Sequence, residues 1–381
     1  LGGGVGGLAA GWMLARTGLY DVTVVERAPV LGGLCGTFQH QDCLLDYGPH
    51  KCYSIIPGIL DELRVLMGDE FLVHEKRNRL YLFESLLKYP ISMAEVALKM
   101  GPVNLLRCGF DMVGTVTSGI FRSREPASYE QYIIQRFGRR LYDLIFQPLA
   151  DKTWGDPATL SADIARTRLP SASLVDVVLR VLGLKSESEQ TNAENFYYPR
   201  QGFGRITDRM GEEIVKAGGR ILTDTSPVHI EHENNRISAV TIETDGRPGS
   251  LPVDLLVSSL PFDALVKLLG GASISHLGGA LAAAEKLQYR GLILVYVTLD
   301  QDLATEDHWI FVPGKDLIFS RIFEQKQLSP EMIPDGKTVL CCDFTDTLEG
   351  EYWNQNDQEL GARCVADLAK MGVIDPDRAE H

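Results

Sequence analysis

The sequence predicts an α/β fold: a doubly wound, Rossmann-like domain with a helical plus β-sheet domain inserted into it. Three observations predict this. The chain opens on a glycine run, LGGGVGG over Leu1–Gly7, that leads into a helical stretch at Leu8–Thr17 and then a β-branched run, Val22-Thr23-Val24-Val25, closing on Glu26. The texture then alternates, from α/β to a mainly helical block, back to α/β and finally to β, as a domain assembled from separated pieces requires. The 381 residues, 45% hydrophobic and 23% charged, have the composition of a globular chain long enough for two or three domains. The expected division is 1–75 with 200–265 for the nucleotide-binding domain, 76–199 for a mainly helical cap, and 266–381 for a β-sheet substrate domain.

Charge and cysteine usage narrow the classes. With 37 Lys+Arg against 51 Asp+Glu the net charge is −14, a field that repels nucleic acid. The seven cysteines are scattered, without a CxxC pair or histidines at zinc spacing, and read as a reduced, cytoplasmic chain without a metal. The most apolar short stretch, Gly291–Leu299, has strand length and falls well short of the about 18 to 20 residues of a transmembrane helix. The chain starts at Leu1 without the strand that normally precedes such a glycine turn, so it reads as a fragment at this end.

The elements follow in order. Ile59, Leu60, Leu63, Leu66 and Met67 recur at helical spacing within Pro57–Met67. Ser128-x-x-Gln131 is a capping box that opens another helix, inside a block of roughly 75–190 expected to be mainly helical. Arg205–Ala217 carries Ile206, Met210, Ile214 and Val215 on one face and stops at Gly218-Gly219. Strands are expected at Arg220–Leu222, Val228–Ile230, Ile237–Ile242 after an Asn234-Asn235 turn, Leu255–Ser258, Leu292–Leu299, Trp309–Val312, Leu317–Ile322 and Val339–Phe344. Lys185–Ala193 (KSESEQTNA) reads as a disordered loop.

The chemistry begins at Gly2-x-Gly4-x-x-Gly7, with Glu26 nineteen positions after Gly7. Glycines let the backbone approach a pyrophosphate at a helix N-terminus, and an acid at the end of the following strand accepts from a ribose hydroxyl. A carboxylate at Glu26 repels a 2′-phosphate and so disfavours NADP, leaving FAD or NAD.

Glu26-Arg27 followed by Gly32-Gly33 resembles the extended fingerprint of FAD-dependent amine oxidases, phytoene desaturases, protoporphyrinogen oxidases and UDP-galactopyranose mutases. The resemblance implies FAD as cofactor, with the second glycine pair near its diphosphate. Asp254–Pro261 resembles the strand that returns to this domain in the same superfamily, and Val228 matches the position whose backbone meets the adenine. Taken alone, Val228 reads as a plain core valine. Phe137–Tyr142, Lys152–Pro157, Ala162–Arg168, Tyr198–Gly202, Trp309–Pro313, Phe319–Arg321 and Ser329-Pro330 are similar to the UDP-galactopyranose mutase-like branch, so the resemblance covers nearly the whole chain.

Position by position, the branch implies that His50 flanks the flavin ring, that Arg168 and Arg321 bind a substrate diphosphate, that Trp154 lines the substrate pocket and that Tyr89 lies near the nucleotide. Each has a plainer reading. Trp154 before Gly-x-Pro suits a core anchor at a turn, Arg168 a solvated face, Arg321 a strand residue that needs a partner if it points inward, and His50 an ordinary loop histidine. Cys35 and Cys52 read as packing residues, and Lys76, Arg77 and Arg79 as a solvated face. Phe311 stands where the branch has a tyrosine that donates to the diphosphate, and phenylalanine has no such donor. Losing it costs about 1 to 3 kcal/mol. The family's late tyrosines and C-terminal flavin-binding segment would lie beyond His381.

The expected activity is therefore hydride transfer from a small organic substrate to FAD. The alternative is a mutase-like isomerisation of a nucleotide sugar by reduced FAD.

Overall fold

The computed structural model describes residues 1–89, 93–119, 125–168, 195–233, 236–270 and 278–379. The chain forms two compact units, Leu1–His74 with Phe196–Tyr289, and Glu75–Asn195 with Arg290–His381.

Unit 1 is built on the glycine turn. The helix Val5–Ala15 follows it, and the strand Thr23–Val25 pairs in parallel with Arg220–Leu222, Val24 opposite Ile221. The helix Arg205–Lys216 packs on the first helix through Ile206, Met210 and Ile214 against Leu8 and Trp12. Gly11 permits this close approach, since a Cβ there would lie 3.0 Å from Ile214 Cδ1. Each such fully buried aliphatic side chain contributes about 1.5–3 kcal/mol. Thr225–Glu233, Arg236–Thr244 and Arg247–Pro252 form an antiparallel three-stranded sheet. The Asn234-Asn235 turn lies outside the described residues, as do Lys185–Ala193.

Leu255–Ser258 forms no strand. It runs extended beside the chain's first residues, where the Leu1 amino group donates to Val257 O at 2.6 Å and Ser259 N–H donates to Leu1 O at 2.9 Å. These bonds to the single residue Leu1 do not make a ladder.

Unit 2 centres on a six-stranded sheet in the order Gly291–Leu299, Thr338–Asp346, Arg321–Glu324, Trp309–Phe311, Asn78–Leu82, Ser85–Tyr89. The last two strands correct the expectation of a mainly helical block from residue 75 onward. They form a hairpin in which Leu80 faces Leu87, joined through Phe83 and Glu84 at φ 53° and 52°. Such turns usually carry Asn or Gly, and their absence here hid the hairpin.

The expected strand Leu317–Ile322 is also shorter, starting only at Arg321. Leu317, Ile318 and Phe319 belong to a loop and are buried in the main core beneath the helix Asp357–Lys370, with Leu360, Cys364 and Leu368. Their apolar character serves core burial, and Ile318 N–H is satisfied by Asp367 Oδ2 at 2.7 Å instead of by a neighbouring strand. The capping box holds in altered form. Ser128 Oγ accepts from Gln131 N–H at 3.2 Å, while Gln131 Oε1 reaches back to the N–H of Ala127, one residue before the cap.

Candidate functional site

The glycine turn of unit 1 is shaped by what its backbone excludes. A Cβ on Gly7 would lie 1.9 Å from the Gly2 carbonyl oxygen, so only glycine closes the turn. At Gly4 the situation reverses, because a Cβ would meet nothing nearer than Gly32 O at 3.9 Å and would project into open space. Gly4 caps the helix Val5–Ala15, which has no side-chain cap and no acid in its first turn. Its first N–H groups and the positive end of its dipole are thus left to an anion.

The second glycine pair completes the cradle. Gly32 N–H donates to Gly3 O at 2.9 Å, Gly4 and Gly32 form a parallel bridge, and Gly33 adopts φ 55° against Gly4 Cα. Glu26 folds over this turn, its Oε2 accepting from Gly3 N–H at 2.6 Å and its Oε1 from Ala28 N–H at 2.7 Å. Arg27 beside it is exposed. The sheet that carries Val228 starts directly after, Thr225 N–H donating to Glu26 O at 2.9 Å, and Val228 is 52% exposed, so it is no core valine. Bare glycine backbone, an uncapped helix start and a carboxylate at the strand end are a donor and acceptor set that fits the diphosphate and ribose of a dinucleotide.

His50 lies in the same unit, its ring stacked on Phe203 with centroids 4.9 Å apart and planes 21° apart. What fixes this loop is a residue that the sequence reading does not single out. Asp46 is fully buried and accepts from Thr37 Oγ1 at 2.6 Å, Phe203 N–H at 3.0 Å and the Tyr198 hydroxyl. Asp46 and His50 thereby grip the same residue, Phe203. Burial pushes the Asp46 carboxyl up to about 6, its three donors pulling the other way. A single aspartate in a strand pattern gives no sign of such a role.

In unit 2 the sheet register places side chains in rows. Leu294, Asp343, Arg321, Phe311, Leu80 and Leu87 face one another across the six strands. Phe311 and Arg321 are therefore direct neighbours, and the backbone of Tyr89 pairs with Asn78, two residue pairs along from Leu80 and Leu87. The Tyr89 and Arg168 side chains lie outside the described residues; the backbone of Arg168 ends the helix Ala162–Arg168.

Arg321 does have the partner its strand position demands. Its Nε donates to Asp343 Oδ2 at 2.6 Å, and Asp343 is buried, which raises its carboxyl pKa against the opposing pull of Arg321. The Arg321 side chain stays 31% exposed, and its Nη groups make no hydrogen bond among the described residues. Trp154 ends the helix Gln147–Trp154 and meets Tyr129 edge-on at 5.9 Å, beside a core of Ile133, Tyr142, Ala150 and Ala165. The sequence reading missed two further groups on this sheet. Arg290 donates through Nε to Thr345 Oγ1 at 3.2 Å, two residues from Asp343, and Lys152 donates to main-chain carbonyls of the loop before Arg321. Neither stands in a recognisable pattern, although Lys152 falls within the Lys152–Pro157 stretch.

Among the described residues no group of His, Cys, Asp or Glu is arranged to hold a metal ion, and no helix is long and apolar enough to cross a membrane.

Fold and cradle together define an α/β protein of the dinucleotide-binding class. The chain belongs to the flavin containing amine oxidoreductase family, whose sequence profile matches residues 5–381. Its fold is similar to that of reduced UDP-galactopyranose mutase, with a TM-score of 0.85 at 18% identity over 99% of this chain and 79% of that one. An oxidoreductase from Methanosarcina mazei matches with TM-score 0.68 at 16% identity over 97% of this chain and 83% of that one. A double mutant of putrescine oxidase matches with TM-score 0.66 at 14% identity over 100% and 82%. At these identities the likeness is one of fold.

Proposed function

We propose that the protein is an FAD-dependent oxidoreductase that removes a hydride from a C–H or N–H bond of a small organic substrate. Gly2, Gly4, Gly7, Gly32 and Gly33 would hold the diphosphate with the helix N-terminus, Glu26 the ribose, the backbone at Val228 the adenine, and the His50 loop would flank the ring system. Bound there, FAD supplies a hydride acceptor or, once reduced, a nucleophile for a sugar carbon.

The observation that carries the choice is the row Phe311–Arg321–Asp343. Asp343 neutralises the arginine, and Phe311 adds an apolar wall with no donor. That row therefore carries no net positive charge of its own with which to hold a diphosphate. Phe311 and Arg321 are read as substrate-facing: the phenyl ring excludes water and the Nη groups orient one polar group of the substrate. The polar contribution is positioning, and no side chain is required as a base.

The mutase-like reading is favoured by one observation, the partly exposed Nη edge of Arg321, which suits a forked contact with phosphate. A UDP titration of the oxidised and dithionite-reduced holoenzyme, followed by the visible flavin band, separates the two. The oxidoreductase reading expects no saturable change in either state. A saturable response of the reduced form alone moves the mutase chemistry to first place, and a protein purified without any flavin band removes both.

A further inference from the structure

The loop 312–320 joins the strand that ends at Phe311 to the strand that starts at Arg321. The Lys152 ammonium sits between its two ends, donating to Val312 O at 3.0 Å and to Phe319 O at 2.9 Å. One nitrogen on both oxygens brings the oxygens within about 6 Å of each other. The loop ends also bond to one another and to the sheet, Val312 N–H to Ser320 O and Ser320 N–H to Asp343 O, both at 2.8 Å. The neighbouring Asp151 pairs with Lys315 at the loop's tip, and Thr345 Oγ1 donates to Lys152 O at 2.7 Å, tying the helix end to the Asp343 strand.

Lys152 is an unusual tether. Among the described residues its ammonium meets no carboxylate within ion-pair distance and spends its charge on main-chain carbonyls. A charged donor makes stronger bonds to such acceptors than a neutral one, and its loss would leave both carbonyls unsatisfied. Burial lowers its pKa to about 8, while Asp316 and Asp367 draw it upward. A lysine needed only for solubility would not be held there.

We propose that Lys152 is a positioning residue for the substrate-facing sheet: by clamping the two ends of loop 312–320 it sets the Arg321 guanidinium beside Phe311. This rests on the reading of Phe311 and Arg321 as substrate-facing. Phenylglyoxal modification of the holoenzyme, resolved residue by residue by peptide mass, tests it, with Arg290 on the same sheet as internal control.

In Lys152→Met, Arg321 is expected to react at least about fivefold faster than in the unaltered protein while Arg290 keeps its rate, and Lys152→Arg restores the Arg321 rate. Hydrogen exchange over 312–321 rises in parallel, and that over the helix Asp357–Lys370 stays constant. If Lys152→Met does not fold, Lys152→Gln carries the same comparison. An unchanged Arg321 rate, or acceleration of Arg290 and Arg321 together, overturns the proposal. Protection of Arg321 by a small carboxylate probes the substrate-facing reading separately. Its absence in the unaltered protein overturns that reading, whatever the Lys152 variants show.

Discussion

The glycine cradle of unit 1 and the sheet face of unit 2 solve the problem of presenting polar groups in opposite ways. The cradle removes side chains so that main-chain N–H groups are exposed at a helix start, and its single carboxylate, Glu26, bonds to the turn itself. The sheet face uses side chains, and each is held by a buried charge: Arg321 by Asp343, and the loop beside it by Lys152. A backbone site depends on which residues are absent and tolerates nothing larger. A side-chain site depends on burying a charge with its partner, and fails through desolvation when either is removed.

The largest effect should come from breaking the cradle. Gly7→Ala sets a methyl group against the Gly2 carbonyl, and the turn must open; the expected outcome is a protein purified without its flavin band and destabilised by about 3 kcal/mol. A flavin-loaded Gly7→Ala protein would refute the assignment of this turn to the cofactor.

Of similar size in stability, but leaving the flavin in place, is Asp343→Ala, which strands the Arg321 charge. About 3 kcal/mol is expected, the low end for a broken buried pair because Arg321 is partly exposed. Denaturant unfolding checks it, and a loss below about 1 kcal/mol would mean that Arg321 simply turns to solvent.

Asp46 makes the comparison pH-dependent. Its carboxyl titrates near 6 in the folded protein against 3.8 in the open chain, so between these values the folded state holds a proton that the unfolded state has released. Stability is fully present below about 4 and falls as pH rises through about 6, by about 3 kcal/mol. Asp343 and Glu324, whose carboxyls are also raised by burial, act in the same direction. Asp46→Asn keeps an acceptor for Thr37 and Phe203 and removes this slope; the difference between the two unfolding curves across pH 4 to 7 isolates it. A flat difference would show that the carboxyl is already ionised at low pH.

The smallest effect is Glu26→Gln. The amide oxygen still accepts one of the two backbone N–H groups, so the fold should hold, and flavin affinity should fall by about tenfold, about 1.4 kcal/mol, as read by equilibrium dialysis. Undiminished affinity would leave Glu26 a purely structural clasp.

This contrast also explains what could be read in advance. The turn Gly2–Gly7, the strand end at Glu26 and the helix Arg205–Lys216 are local: steric exclusion and 3.6-residue periodicity act within a few residues and leave their mark in the order of letters. The hairpin at Asn78–Tyr89 and the loop 312–320 left no such mark. The first turns through Phe83 and Glu84 in place of glycine, and the second buries Leu317, Ile318 and Phe319 under a helix some forty residues on.

The sequence by itself thus determined the fold class and the glycine turn with its acid at the strand end, because both follow from what glycine backbone and hydrophobic spacing permit locally. The tertiary structure alone decided that Asp46 and His50 share Phe203, that Asp343 answers Arg321, and that Lys152 bridges Val312 and Phe319. Buried polar groups must find partners, and which partners they find is a property of distant strands brought into register.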